Sequence, residues 1–205
     1  MLQKSAVDEF VEVAQKRGYA PRHNILNAGD EPCSLYYILE GSVSVLIPEG
    51  KREMVLAYLN PGDFFGEMCL FPDLNTRSAI VRARTPVLVA EMHLETFSEF
   101  SARHPDIMFT VAGQIAMRLR DTSRRLRDLA FLDVAGRIAH ALLDLSAKPG
   151  TVAQDGGGIA IRTSRQELAR MVGCSREMAG RVIKRLEEDG VIACKGRAII
   201  VLERG

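Results

Sequence analysis

At His104-Pro105 the apolar pattern of this 205-residue chain changes period, and that change dictates most of what the chain can fold into. Before it, apolar runs alternate with turn signals at Ala28-Gly29-Asp30, Glu40-Gly41, Pro48-Glu49-Gly50 and Pro61-Gly62-Asp63. The runs at 35–39, 42–47, 53–59 and 79–83 are rich in β-branched and aromatic residues. Strands roughly ten residues apart read as a sandwich or barrel, behind a leading helix expected over 2–17. After His104-Pro105, Met108, Val111, Ile115, Leu119, Thr122, Leu126 and Leu129 follow at spacings of 3, 4, 4, 3, 4 and 3, close to a heptad seam. A helix of about 25 residues is roughly 37 Å long, more than a small barrel covers. A self-pairing dimer helix is therefore favoured over one that packs only on its own domain.

The chain breaks again at 131–134. A second helix is expected to about Ser146, then breaks at Lys148-Pro149-Gly150 and Asp155-Gly156-Gly157-Gly158. A domain boundary near residue 132 follows. Splitting the charge there matters, because the formal total of +1 gives no sign of a nucleic-acid partner. Residues 1–131 carry 15 basic and 17 acidic side chains, residues 132–205 carry 12 and 9, and residues 161–186 alone carry seven basic and two acidic. The basic charge is packed into one short segment.

Several classes are excluded. No apolar run reaches about 18 residues, so no membrane helix is expected, and the N-terminus lacks a signal-peptide core. A cytoplasmic protein is expected. Cys33, Cys69, Cys174 and Cys194 form no CxxC and are read as free thiols; His23, His93, His104 and His140 form no ligand cluster, so no metal is expected. A metal enzyme on a small β-roll would need such a cluster, and no catalytic set appears.

Within the basic segment, Ser164-Arg165-Gln166-Glu167 reads as a capping box that starts a short helix. Val172-Gly173-Cys174 supplies a turn, and Ser175 caps a second helix that stops at Gly190. Met178, Val182, Ile183 and Leu186 are its expected apolar stripe. Two helices about a Gly-containing turn are a helix-turn-helix pattern, whose second helix enters the major groove. Arg176, Glu177 and Arg181 stand where base edges are read: Arg suits guanine O6 and N7, Glu suits cytosine N4. Two β-like runs in 191–201, with Lys195 and Arg197 near the tip, suggest a wing.

In the first half, Phe64-Phe65-Gly66-Glu67-Met68 follows a Pro-Gly-Asp turn, and Arg77-Ser78 comes ten residues after Glu67. A glycine opening a helical turn lets backbone N–H groups approach a phosphate. Arg77 and Ser78 supply countercharge and a hydroxyl, and Glu67 suits a sugar hydroxyl. On these residues alone, a phosphate-plus-ribose pocket and a surface Glu67–Arg77 salt bridge stand level.

The motifs at 58–71, 76–83, 129–139 and 164–187, with the wing, resemble the cyclic-AMP receptor (catabolite activator) family within the receptor/fumarate-nitrate-regulator superfamily, over about residues 19–202. The resemblance implies an α+β fold: an N-terminal β-roll (jelly-roll) cyclic-nucleotide-binding domain over 1–104, a dimerisation helix over 105–131, and a C-terminal winged helix-turn-helix domain over 132–205. It implies cyclic AMP as effector, held by Leu56, Gly66, Glu67, Met68, Arg77, Ser78, Arg118, Thr122 and, from across the dimer, Ser123. It implies promoter DNA as partner, with Arg176, Glu177 and Arg181 reading bases and Ser164, Arg165, Gln166, Ser175, Lys184, Lys195 and Arg197 at the interface. A hinge at 131–134 would respond to the ligand. Ala57 and Cys69 depart from the best-known member's serine and glycine. The 150–158 loop, in the place of a loop that contacts RNA polymerase, differs in sequence and length. Relatives that answer to cyclic di-GMP lose the Arg-Ser pair; its presence here points to cyclic AMP. Constitutive binding or another effector such as cyclic di-GMP is the alternative.

Overall fold

Ser5 caps the first helix, α1 (Ala6–Val13): its hydroxyl accepts the Asp8 N–H at 3.2 Å and the Asp8 carboxylate accepts the Ser5 N–H at 3.2 Å. The helix stops four residues before the expected end, because Gln15–Tyr19 is a strand, β1, pairing antiparallel with β8 (Val87–His93). The structure is a computed structural model and describes residues 5–31, 33–50, 52–71, 76–147, 152–153, 158–196 and 198–202. It divides into two compact units, Met1–Thr122 and Ser123–Gly205.

The first unit holds two four-stranded antiparallel sheets, in orders β1-β8-β3-β6 and β2-β7-β4-β5. The remaining strands are β2 (Asn24–Leu26), β3 (Ser34–Glu40), β4 (Val43–Glu49), β5 (Arg52–Leu59), β6 (Phe64–Phe65) and β7 (Ile80–Ala83). The four expected β runs are β3, β4, β5 and β7. The two residues of β6 pin the roll. Successive strand side chains point to opposite faces, so Phe64 joins Phe10, Leu35, Phe97 and Phe100 in one core cluster while Phe65 joins Tyr36, Ile38, Val43 and Val89 in another. Each burial stabilises by about 2–3 kcal/mol. The segment after β6 is thereby held in place.

A helix that sequence reasoning left out, α2 (Leu94–Arg103), buries Phe97 and Phe100. It leads into α3 (Asp106–Phe131), the 26-residue helix expected from the heptad spacing. The expected seam is divided: two of its positions turn inward, while Met108, Leu119, Thr122, Leu126 and Leu129 are exposed. Val111 is buried and Ile115 packs against the same cluster, so these two seam positions serve the unit's own core. The exposed apolar stripe instead runs through Met108, Phe109, Ala112, Ala116, Leu119, Leu126 and Leu129, with Phe109 77% and Leu119 and Leu126 each 67% exposed.

In the second unit, α4 (Val134–Ser146) starts at Asp133, whose carboxylate accepts the Gly136 N–H at 2.8 Å. The last turns of α3 and α4 are clasped by Arg124–Asp144 at 2.9 Å and His140–Asp128 at 3.0 Å. Helices α5 (Arg165–Val172) and α6 (Arg176–Glu188) pack on α4 around Ile138, Leu142, Leu168, Ala179 and Ile183. A sheet in the order β11-β12-β10-β9 completes the unit, from β9 (Val152–Ala153), β10 (Ile159–Arg162), β11 (Ile192–Lys195) and β12 (Ala198–Val201). Among the described residues no helix is long and apolar enough to cross a membrane.

Candidate functional site

Gly66 opens the first candidate site. It sits at φ +79° before the 3-10 turn Glu67–Leu70, a left-handed conformation that favours glycine. A Cβ there would lie 3.0 Å from Arg77 Nη1 and 3.0 Å from the Ser34 carbonyl oxygen. Arg77 is the reason for the crowding. Its Nη1 donates to the Gly66 carbonyl at 2.8 Å and its Nη2 to the Ser34 carbonyl at 2.7 Å. The side chain is 5% exposed, and its Nε, also buried, has no hydrogen-bond partner among the described residues. A buried guanidinium N–H without an acceptor is costly. The glycine cradle and this spare donor fit an added anion at this place.

The Glu67–Arg77 pair that composed one of the two sequence readings does not form. Glu67 pairs with Arg118 instead, Nη1 to Oε1 at 3.2 Å, both side chains largely buried. Arg118 also donates through Nη2 to the Phe64 carbonyl. The site is thus sorted by charge: Arg77 against the turn's backbone, and the Glu67 carboxylate paired with a second cation, Arg118, from α3. Met68 and Leu56 are half-buried; Leu56 is the extra residue of a bulge where the β4–β5 register shifts. Ser78 is exposed beside Arg77. Cys69 is buried in the 3-10 turn, and burial pushes its thiol up despite the neighbouring Arg77. Thr122 lies one turn beyond Arg118 on α3, Ser123 follows it, and both are exposed. Gln114, which sequence reasoning missed, reaches Gly62 and Phe64 from one turn before Arg118. A polar residue beside the apolar seam was the only signal for it.

The second candidate site lies on α5, α6 and the wing. Gly173, at φ +70°, ends α5 and turns the chain, and Ser175 caps α6 by accepting the Met178 N–H at 3.1 Å. Ser164 caps α5 by accepting the Glu167 N–H at 3.1 Å, and Glu167 accepts from the Thr163 hydroxyl at 3.4 Å. Each cap hydroxyl accepts through its oxygen, and that of Ser175 also donates to the Glu177 carboxylate. Arg165, Gln166, Arg176, Glu177, Arg181 and Lys184 are all exposed. The Glu177 carboxyl is held below the usual range by a backbone hydrogen bond, the Ser175 hydroxyl and the flanking Arg176 and Arg181. It is an acceptor between two donors at the start of an exposed helix.

The inward stripe of α6 differs by one residue from the expected one. Ala179 and Ile183 are buried, Val182 and Leu186 partly, while Met178 lies 3.9 Å from the Arg181 guanidinium. The wing forms as β11 and β12 with Lys195 exposed before its turn; Arg197 lies outside the described residues, as do 150–151 and 154–157 of the loop. A cleft of about 770 Å3 is lined by Arg162, Thr163, Ser164, Arg165, Lys195 and Gly196, among others, so Arg162 joins the basic surface. Arg137, also missed, donates to the Leu132 carbonyl at 3.0 Å and the Val172 carbonyl at 3.2 Å, tying the start of α4 to the end of α5.

Comparison with known families matches a cyclic nucleotide-binding domain over residues 16–104 and a Crp-like helix-turn-helix domain over residues 136–205. The chain is 44% identical to the cAMP-activated global transcriptional regulator Vfr of Pseudomonas aeruginosa, covering 95% of this chain and 92% of that protein. It is 42% identical to the cAMP-activated global transcriptional regulator CRP of Pasteurella multocida, covering 89% and 88%. Among solved structures, the c-di-GMP-responsive global regulator CLP of Xanthomonas campestris superposes with a TM-score of 0.88 at 40% identity, over 97% of this chain and 99% of that one.

Proposed function

The chain belongs to the cyclic-AMP receptor family of transcription regulators, and from that premise we propose that it is a homodimeric regulator that binds pseudo-palindromic promoter DNA in response to cyclic AMP. The observation that carries the reading is the buried Arg77 guanidinium, whose Nη1 lies against the Gly66 cradle and whose Nε has no hydrogen-bond partner among the described residues. Arg77, Ser78 and the turn's N–H groups hold the cyclic phosphate, and Glu67 accepts from the ribose hydroxyl. Thr122 and the partner subunit's Ser123 meet the base. Leu56 and Met68 line the pocket.

Two copies pair along the exposed stripe of α3, which then presents two α6 helices to successive major grooves about 34 Å apart. Arg176, Glu177 and Arg181 read base edges. Ser164, Arg165, Gln166, Ser175, Lys184, Lys195 and Arg197 hold phosphates. The nucleotide shifts the equilibrium by its preference for the DNA-competent state, with 131–134 as the hinge. The regulator works in the cytoplasm alongside RNA polymerase. Selection from a random duplex pool tests this: with cyclic AMP present it should recover a two-fold-symmetric sequence with half-sites one turn apart. Equal recovery without nucleotide, or recovery that only cyclic di-GMP alters, would overturn the reading.

A further inference from the structure

The two-residue strand β6 lies at the edge of its sheet, with β3 on one side only. Its outer edge is met by a side chain from α3. Gln114 Nε2 donates to the Gly62 carbonyl at 2.9 Å, and its Oε1 accepts the Phe64 N–H at 2.8 Å. A carboxamide offers a donor and an acceptor side by side, as a peptide unit does. Gln114 therefore stands in for a neighbouring strand. One turn later Arg118 donates to the Phe64 carbonyl and pairs with Glu67, and it also donates to Gln114 Oε1 at 3.3 Å. One amide and one guanidinium, a turn apart on α3, grip Gly62, Phe64 and Glu67.

We infer that Gln114 is a positioning residue for nucleotide response: it fixes the register of α3 against the segment carrying Glu67, so that occupation of the pocket is felt by the helix. The inference rests on the proposed cyclic-AMP reading. Gln114 bonds Gly62, Phe64 and Arg118 and is not among the residues proposed to hold the nucleotide. Its amide holds the backbone two residues before the Gly66 cradle, and it orients Arg118, whose other end holds the ribose acceptor. Without it, β6 still packs through Phe64 and Phe65, and Arg77 still holds Gly66. What is lost is the fixed relation between helix and cassette. The two effects separate in measurement, because the pocket is largely intact while its link to α3 is loosened.

The experiment uses the full-length dimer with Gln114→Met, which keeps length and removes both polar groups, and Gln114→Glu, which keeps the acceptor for Phe64 and Arg118 but loses the donor to Gly62. Cyclic-AMP affinity is read by calorimetry, and coupling by the ratio of DNA affinities with and without saturating cyclic AMP. For Gln114→Met the coupling ratio should fall about tenfold, within the usual range of allosteric couplings, while cyclic-AMP affinity changes by no more than about threefold. Gln114→Glu should fall between that variant and wild type. A Gln114→Met protein with the wild-type coupling ratio would overturn the inference. So would a loss of folding in both variants, which would make the amide a purely structural brace. If wild type itself shows no cyclic-AMP response, the functional reading fails rather than the role of Gln114.

Discussion

Replacing Arg77 by leucine separates two roles carried by one side chain. Its two terminal nitrogens hold the Gly66 and Ser34 carbonyls at 2.8 and 2.7 Å, and at 5% exposure solvent screens neither bond. A hydrogen bond from a charged donor contributes about 1.5–3 kcal/mol, so losing both removes roughly 3–6 kcal/mol. Leucine returns about 1.5–3 kcal/mol by burying apolar surface. The net loss is about 2–3 kcal/mol, which lowers the melting temperature of a unit this size by roughly 10 °C. On the proposed function the same substitution also removes the countercharge for the phosphate, and a charge-assisted pair worth about 3 kcal/mol corresponds to roughly a hundredfold in Kd. Ser78→Ala is the control: the residue is exposed, so stability should hold within about 0.5 kcal/mol, while affinity falls about tenfold. Scanning calorimetry of ligand-free protein and titration calorimetry with cyclic AMP read the two quantities. An Arg77→Leu protein that melts like wild type would refute the interior role. One that binds cyclic AMP with unchanged affinity would refute the cassette.

Gly66→Ala forces a side chain into positive φ and against Arg77 and Ser34, so stability should fall by about 1–3 kcal/mol and cyclic-AMP affinity with it; unchanged denaturation would show that the turn relaxes freely. On DNA, Arg181→Leu should cost about 1–3 kcal/mol at one base position, whereas Lys184→Ala should weaken all sequences alike and reduce the salt slope by about one; footprints and salt titrations that do not distinguish the two would contradict their assignment. Leu119→Glu places a charge on the exposed stripe of α3, and sedimentation should show dissociation to monomers; an unaltered dimer would move the interface elsewhere. The Asp128 carboxyl is held below the usual range, first by its hydrogen bond with His140 and also by Arg127. A depressed value stabilises above the ordinary carboxylate range and is lost as pH falls through it. The stability gap between wild type and Asp128→Asn should therefore narrow as pH drops below about 4, and a gap constant from neutral pH to pH 3 would contradict this.

Much of the architecture is legible in the chain because local signals agree with the global fold. The turn signals bound the strands β3, β4 and β5, and Ser164, Gly173 and Ser175 stand where α5 and α6 start and stop. The readings that missed share a cause. Gln15–Tyr19, QKRGY, has no apolar alternation and is exposed along most of its length; it is a strand only because β8 offers an edge. The heptad spacing marks α3 with one stripe, but Val111 and Ile115 join the cluster of Phe10, Phe97 and Phe100, and Phe10 is brought in from about a hundred residues earlier in the chain. Glu67 finds Arg118 and Phe64 finds Gln114 across about fifty residues of chain, and no local spacing encodes such pairings. The chain marks Arg77 only as a cation, for an anion or for a salt bridge. Its observed task, holding two carbonyls in the interior, depends on the depth at which the roll buries it.

The central claim is that nucleotide binding and DNA binding are coupled. Fluorescence anisotropy with the selected two-fold duplex, at fixed salt, measures that coupling directly as the ratio of DNA affinities with and without saturating cyclic AMP. The account predicts a rise of about 5–150-fold, a smaller one with cyclic GMP, and none in Arg77→Leu. A ratio of one with cyclic AMP, or a change produced by cyclic di-GMP alone, would contradict it.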